Sequence, residues 1–108
     1  PLSALYADFA TYGFLPRLND GELVVSALWH ASSAENAGLR LGEQVVGIDG
    51  QDTTAPDFET VCNLLNRLGQ FGSEVAPISV TRLRDGKRET VRVERMPLVT
   101  DELISGRQ

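Results

Sequence analysis

Ser32-Ser33-Ala34-Glu35-Asn36-Ala37-Gly38-Leu39-Arg40-Leu41-Gly42-Glu43-Gln44-Val45-Val46-Gly47-Ile48-Asp49-Gly50 is the stretch that decides the fold. Ser32 followed three residues later by Glu35 forms a capping box, which predicts a helix starting at Ser33. Gly38 ends that helix early, because glycine alone enters the left-handed C′ conformation without a Cβ penalty. Gly42 marks a turn, Gln44 to Ile48 reads as a short buried strand, and Asp49-Gly50 as a tight hairpin turn. So short a helix between strands buries little by itself. It is suited to plugging the open end of a small β-structure.

This order of events resembles the central signature of PDZ domains. The matching residues are Ser32, Ala34, Ala37, Gly38, Leu39, Gly42, Val45, Ile48, Asp49 and Gly50. Three positions depart from it: Ser33 and Leu41 stand where proline is common, and Glu43 replaces aspartate and keeps its charge. The resemblance implies a mixed α+β fold, a small, partly open antiparallel β-barrel or sandwich of about five to six strands capped by two helices.

Working outward, Thr11-Tyr12-Gly13-Phe14-Leu15 places a glycine between large apolar residues just before a strand. The backbone can turn at Gly13 while its neighbours anchor in the core, and successive N–H groups in such a loop can form an anion nest. In the resemblance this is the carboxylate-binding loop, with Thr11 in place of its first glycine. A strand is predicted over Phe14 to Leu18, a turn at Asn19-Asp20-Gly21, and a strand over Glu22 to Trp29 with Leu23, Val25, Ala27 and Trp29 on one face. Pro16 cannot donate in a ladder, which assigns its strand to a sheet edge.

Downstream, a short strand at Gln51-Asp52 leads to Asp57, which can cap a helix from Phe58 to about Leu68. Val61, Leu64 and Leu68 read as its core face. Phe58, Cys62 and Leu65 make a second apolar stripe that faces either a groove or the core. Gln70 to Pro77 reads as a loop. Ile78 to Arg84 and Arg88 to Glu94 read as strands joined by Asp85-Gly86-Lys87. Arg82, Arg84, Lys87, Arg88, Arg92 and Arg95 are interleaved with apolar residues, as on the solvated face of a hairpin. Leu2, Leu5, Tyr6 and Phe9 are spaced for a short helix over about residues 3–10. The expected organisation is a linker helix or flap over 1–11, the domain over 12–96 and a tail over 97–108.

The 108 residues suit one domain with a modest core, and 42% hydrophobic residues are ordinary for a globular chain. A net charge of −5 argues against nucleic acid and anionic membrane surfaces as partners. A single cysteine leaves no internal disulfide. The chain opens on Pro1 and is expected to be a piece of a longer protein. His30 is the lone histidine and reads as a turn residue, since no Gly-X-Ser-X-Gly elbow accompanies it. There is no phosphate loop and no metal-ligand pattern, so neither a cofactor, a metal nor catalysis by this chain itself is expected.

Two strands after the long helix resemble the circularly permuted PDZ form of bacterial proteins. The Tyr12-Gly13-Phe14 entry, the Leu28-Trp29 strand end and the Cys62 helix are similar to modules trailing bacterial retropepsin-like aspartyl proteases, with HtrA-type serine proteases and glycyl aminopeptidases as other hosts. An exported parent, in the periplasm or cell envelope, is compatible with this. The resemblance implies binding of C-terminal or extended apolar peptide segments by strand addition, to recruit substrate or to regulate a neighbouring catalytic domain. The implied peptide-binding residues are Tyr12, Gly13, Phe14, Leu15, Pro16, Phe58, Cys62 and Leu65. Phe58 at the first groove position of the helix implies an apolar-X-apolar C-terminus. Alternatives are a docking or self-association module with an occluded groove.

Overall fold

The computed structural model describes residues 10–68, 76–97 and 103–104. Among the described residues nine strands and two helices follow in order: β1 (Ala10–Thr11), β2 (Phe14–Asn19), β3 (Glu22–Trp29), α1 (Ser33–Asn36), β4 (Gln44–Ile48), β5 (Gln51–Asp52), α2 (Phe58–Leu68), β6 (Ile78–Arg84), β7 (Lys87–Val93), β8 (Met96–Pro97) and β9 (Leu103–Ile104). The main sheet is antiparallel, in the order β2-β3-β4-β6-β7, with β5 on β4 and β9 on β3; β1 and β8 form a separate pair. The expected mixed α+β architecture is present.

The same dipeptide closes three hairpins. Asp20-Gly21, Asp49-Gly50 and Asp85-Gly86 all have positive φ at both residues, between 51° and 81°. That conformation matches the twist of the flanking strands. The last turn is therefore two residues and not three, and Lys87 opens β7.

Helix α1 is framed at both ends by its sequence. The Ser32 hydroxyl accepts from Glu35 N–H at 3.2 Å. The Glu35 carboxylate reaches back one residue further than a simple capping box, to Ala31 N–H at 2.6 Å. At the other end Gly38, with φ of 97°, donates to Glu35 C=O, and Leu39 N–H donates to Ala34 C=O at 3.1 Å. This double closure brings buried Ala34 and Leu39 together.

Two bulges change the faces expected from strict alternation. Leu15 pairs with Ala27 but Pro16 pairs with Val25, so Ser26 is extra on β3. The parity flips there: Leu23, Val25 and Leu28 enter the core, while Ala27 and Trp29 stay half-exposed. Val46 is likewise extra on β4, which lets both Val45 and Val46 be buried.

The core joins Tyr12, Phe14, Leu23, Val25, Leu28, Val45, Ile48, Ile78, Val80 and Val93 to the inner face of α2, where Val61, Leu64 and Leu68 are all buried. The expected solvated face of the last hairpin holds for Lys87, Arg88 and Arg92. Arg82 is buried instead, bonded to Glu89 and 3.9 Å from Glu43, and Arg84 bonds to Glu43. A buried guanidinium needs such partners because leaving it unpaired costs several kcal/mol, on the order of 3–5.

The chain ends are described only in part. Most of the expected N-terminal helix and of the Gln70 to Pro77 loop lies outside the described residues; Ala10 itself is strand and pairs with Pro97. Leu103–Ile104 pairs with Leu28 and Trp29 of β3.

Candidate functional site

Gly13 has φ of 92°, and a Cβ there would lie 2.1 Å from Ser32 Cβ. The loop is therefore pressed against the start of α1. Its carbonyls hold it there: Tyr12 C=O accepts from Ala34 N–H at 3.1 Å, and Gly13 C=O accepts from Trp29 N–H at 2.9 Å and from the Ser32 hydroxyl at 3.4 Å. The Tyr12 ring is fully buried, its hydroxyl donating to Ala76 C=O, with the Arg95 guanidinium 5.1 Å above the ring centre. The Tyr12 side chain is thus part of the core. Phe14 is also fully buried.

Strand β2 is an edge of the main sheet, as its proline implies. The pairing pattern fixes which of its backbone groups face outward. The Trp29-to-Gly13 bond makes that pair a hydrogen-bonded one, so the next pair, Phe14 with Leu28, is not, and Phe14 N–H and C=O turn away from β3. Pro16 stands opposite Val25, whose N–H and C=O are engaged by Glu43 and by Gly42 on the other side of β3. Pro16 is thus also an outward position, and so is Leu18 two residues on. The proline costs the domain no internal hydrogen bond. It removes one donor from the free edge.

Helix α2 packs beside β2. Its first turn is fixed by Asp57, whose carboxylate accepts from Thr60 N–H at 2.8 Å. The Thr60 hydroxyl and N–H hold the Asp57 carboxyl below its ordinary range. Phe58 is 77% exposed, Leu65 37% exposed and Cys62 partly buried, so this stripe is separate from the core face. With Leu18, at 38%, Phe58 and Leu65 are the exposed large hydrophobic residues among those described, and all three lie on β2 or α2. Leu18 was not singled out from sequence; its place two residues beyond outward-facing Pro16 is the signal that finds it. Leu15 is half-buried, its C=O accepting from the Ser26 hydroxyl at 3.1 Å.

Polar side chains around α1 have structural partners. His30 is exposed, with Nδ1 3.4 Å from Glu35. The Ser33 hydroxyl accepts from Glu94 N–H at 2.8 Å. Among the described residues no three His, Cys, Asp or Glu side chains are gathered as for a metal.

No family model and no curated protein sequence matches the chain. Solved structures do. The PDZ domain of a carboxy-terminal protease from Vibrio cholerae, in complex with peptide, aligns with a TM-score of 0.60 at 17% identity, over 89% of this chain and 96% of that one. The photosystem II D1 C-terminal processing protease aligns with a TM-score of 0.64 at 21% identity over 91% of this chain. The chain spans 27% of that protease's length. An HtrA-type protease, AlgW, bound to a decapeptide, aligns with a TM-score of 0.59 at 16% identity, over 85% of this chain and 30% of that one.

Proposed function

We infer that this chain, which has the PDZ fold, is a peptide-binding module of a bacterial protease and takes an extended apolar segment as an added strand on β2. The observation that carries the reading is that the exposed large hydrophobic residues among those described, Leu18, Phe58 and Leu65, lie on edge strand β2 and on helix α2, which packs beside it. Those side chains leave apolar surface in water beside outward backbone groups at Phe14, Pro16 and Leu18. A ligand strand there gains backbone hydrogen bonds from β2 and rests its alternate side chains on Phe58, Cys62 and Leu65. Its terminal carboxylate sits at the N–H groups of Tyr12, Gly13 and Phe14. Phe58, being apolar, selects an apolar side chain two residues before the ligand's end.

The two long strands after α2 support the circularly permuted, bacterial form of the fold. In the parent chain such a module recruits substrate or regulates the catalytic domain. The sequence likeness favours an aspartyl host, while the solved neighbours include an HtrA-type protease and a serine endoprotease from Yersinia pestis. Inhibition of the parent by an aspartyl-directed as against a serine-directed reagent separates the two.

The binding reading is tested by NMR titration with peptides ending apolar-X-apolar, each as free acid and as C-terminal amide. Shifts at Tyr12, Gly13, Phe14 and Leu65 with the acid alone support a carboxylate-reading groove. Equal shifts with both forms remove terminal recognition, and no shift with either removes the peptide-binding reading.

A further inference from the structure

The Tyr12-Gly13 loop is braced on two sides by one stretch of chain. β1 leads straight into the loop and pairs with β8, Ala10 with Pro97 and Thr11 with Met96. Behind the loop, Gly13 C=O is held by Trp29 N–H at 2.9 Å, and Trp29 pairs in turn with Leu103 of β9. β8 and β9 both fall within residues 96–104. This stretch therefore supports both the strand that enters the loop and the strand end that holds it.

The ladder gives β9 a defined task. β3 pairs with β4 near its start, at Val24, and its far end is taken by β9, with Leu28 opposite Ile104 and Trp29 opposite Leu103. Phe14 with Leu28 is a non-hydrogen-bonded pair, so the Leu28 N–H and C=O turn from β2 toward β9 and meet Ile104. With β9 withdrawn, these two groups belong to a free sheet edge, and Gly13 is held by a strand end whose other side is unpaired.

β9 can be withdrawn at modest cost. Among the described residues it is two residues long, whereas β6 and β7 pair along seven. A short terminal pairing opens at a free energy below that of unfolding the domain. The docked and released forms then differ at the loop. A loop that must be ordered as the ligand arrives binds more weakly than one already in place.

We propose that β9 is a docking switch for the groove: paired with β3 it holds the loop in the form that accepts a ligand carboxylate, and released it lowers the groove's affinity. The switch rests on the strand-addition reading of the site. The coupling is reciprocal, so a bound peptide draws β9 onto β3. The connection is local, running from Ile104 to Leu28 and through the Trp29-to-Gly13 hydrogen bond.

The test compares the unchanged chain with I104P and L103P. I104P removes the N–H that faces Leu28 C=O. L103P removes an N–H that faces away from β3, because Trp29 with Leu103 is the adjacent, non-hydrogen-bonded pair. Affinity for free-acid peptides ending apolar-X-apolar is read by calorimetric titration. Amide hydrogen exchange is followed at Leu28 and Trp29, with Val25, whose N–H is bonded to Glu43 C=O, as the control on the same strand. I104P is expected to weaken binding about fivefold and to speed exchange at Leu28 and Trp29 but not at Val25. L103P is expected to stay close to the unchanged chain. Saturating peptide is expected to slow exchange at Leu28 in the unchanged chain, although that N–H faces away from β2. Equal binding by I104P and the unchanged chain overturns the switch alone. So does an equal loss in both variants, or a loss accompanied by faster exchange at Val25, since either reports general loosening of the domain. An unchanged chain that takes no peptide overturns the strand-addition reading and the switch with it.

Discussion

Gly13 and Ser32 stand so close that a Cβ on the glycine would lie 2.1 Å from the serine Cβ. One contact thereby ties the loop before β2 to the cap of α1. Gly13→Ala adds this clash to an unfavourable positive φ of 92°. It is expected to destabilise the domain by more than about 2 kcal/mol, read as a lower urea midpoint. Ser32→Ala in the same background keeps the offending Cβ and is expected to give no rescue.

Pro16 withholds one donor from the outer edge of β2. Pro16→Val keeps an apolar residue at this buried position and restores the N–H. Peptide affinity in the groove is expected to rise by about 1 kcal/mol, roughly fivefold, in calorimetric titration. An unchanged or weaker affinity would show that no ligand carbonyl meets this position.

The two apolar faces of α2 separate stability from binding. Leu64→Ala empties a site that is 3% exposed and is expected to cost about 2–5 kcal/mol in chemical unfolding. Phe58→Ala removes a ring that is 77% exposed and is expected to move stability by no more than about 0.5 kcal/mol while abolishing peptide binding. Loss of stability without loss of binding in Phe58→Ala would place the ring in the fold and not in the site.

Asp57 contributes an acid-sensitive element. Its carboxyl is held below the ordinary range by hydrogen bonds from the Thr60 side chain and N–H. The folded value is thus below the unfolded one, so the stabilisation is present at neutral pH and is lost as pH falls through the folded value. Asp57→Ala is expected to lower the melting temperature at pH 7, and the gap from the parent domain to narrow as the pH is taken down to about 2. A gap independent of pH would mean that the charge at this cap does no work.

Much of this was legible in the residues because it is encoded locally. Asp20-Gly21 and Asp49-Gly50 specify their turns with two residues each, Ser32 and Gly38 bracket α1, and Asp57 and the spacing of Val61, Leu64 and Leu68 set α2. The bulges at Ser26 and Val46 were not legible, since an extra residue is defined by the partner strand and not by its own neighbours. Arg82 reads as a surface residue on β6 until Glu43, far away in sequence, is brought beside it. The resemblance supplied the candidate loop, but not that the Tyr12 side chain is spent on the core. Nor could it show that Phe58 and Leu65 stand clear of that core.

The repeated Asp-Gly turns also set the order in which the sheet can assemble. β2 with β3, and β6 with β7, are each joined by the shortest connection a hairpin allows, so their closure costs little chain entropy. β4 is different: Gln44 must find Leu83, and Ile48 must find Val80, across the whole of α2 and the segment beyond it. Two hairpins that zip on their own then wait for a central strand that bridges them, which makes the search for β4 the slow step. Ile48→Val is expected to speed unfolding and leave refolding nearly unchanged if β4 docks after that barrier, and to slow refolding if docking is the barrier itself. Chain entropy argues for the second outcome.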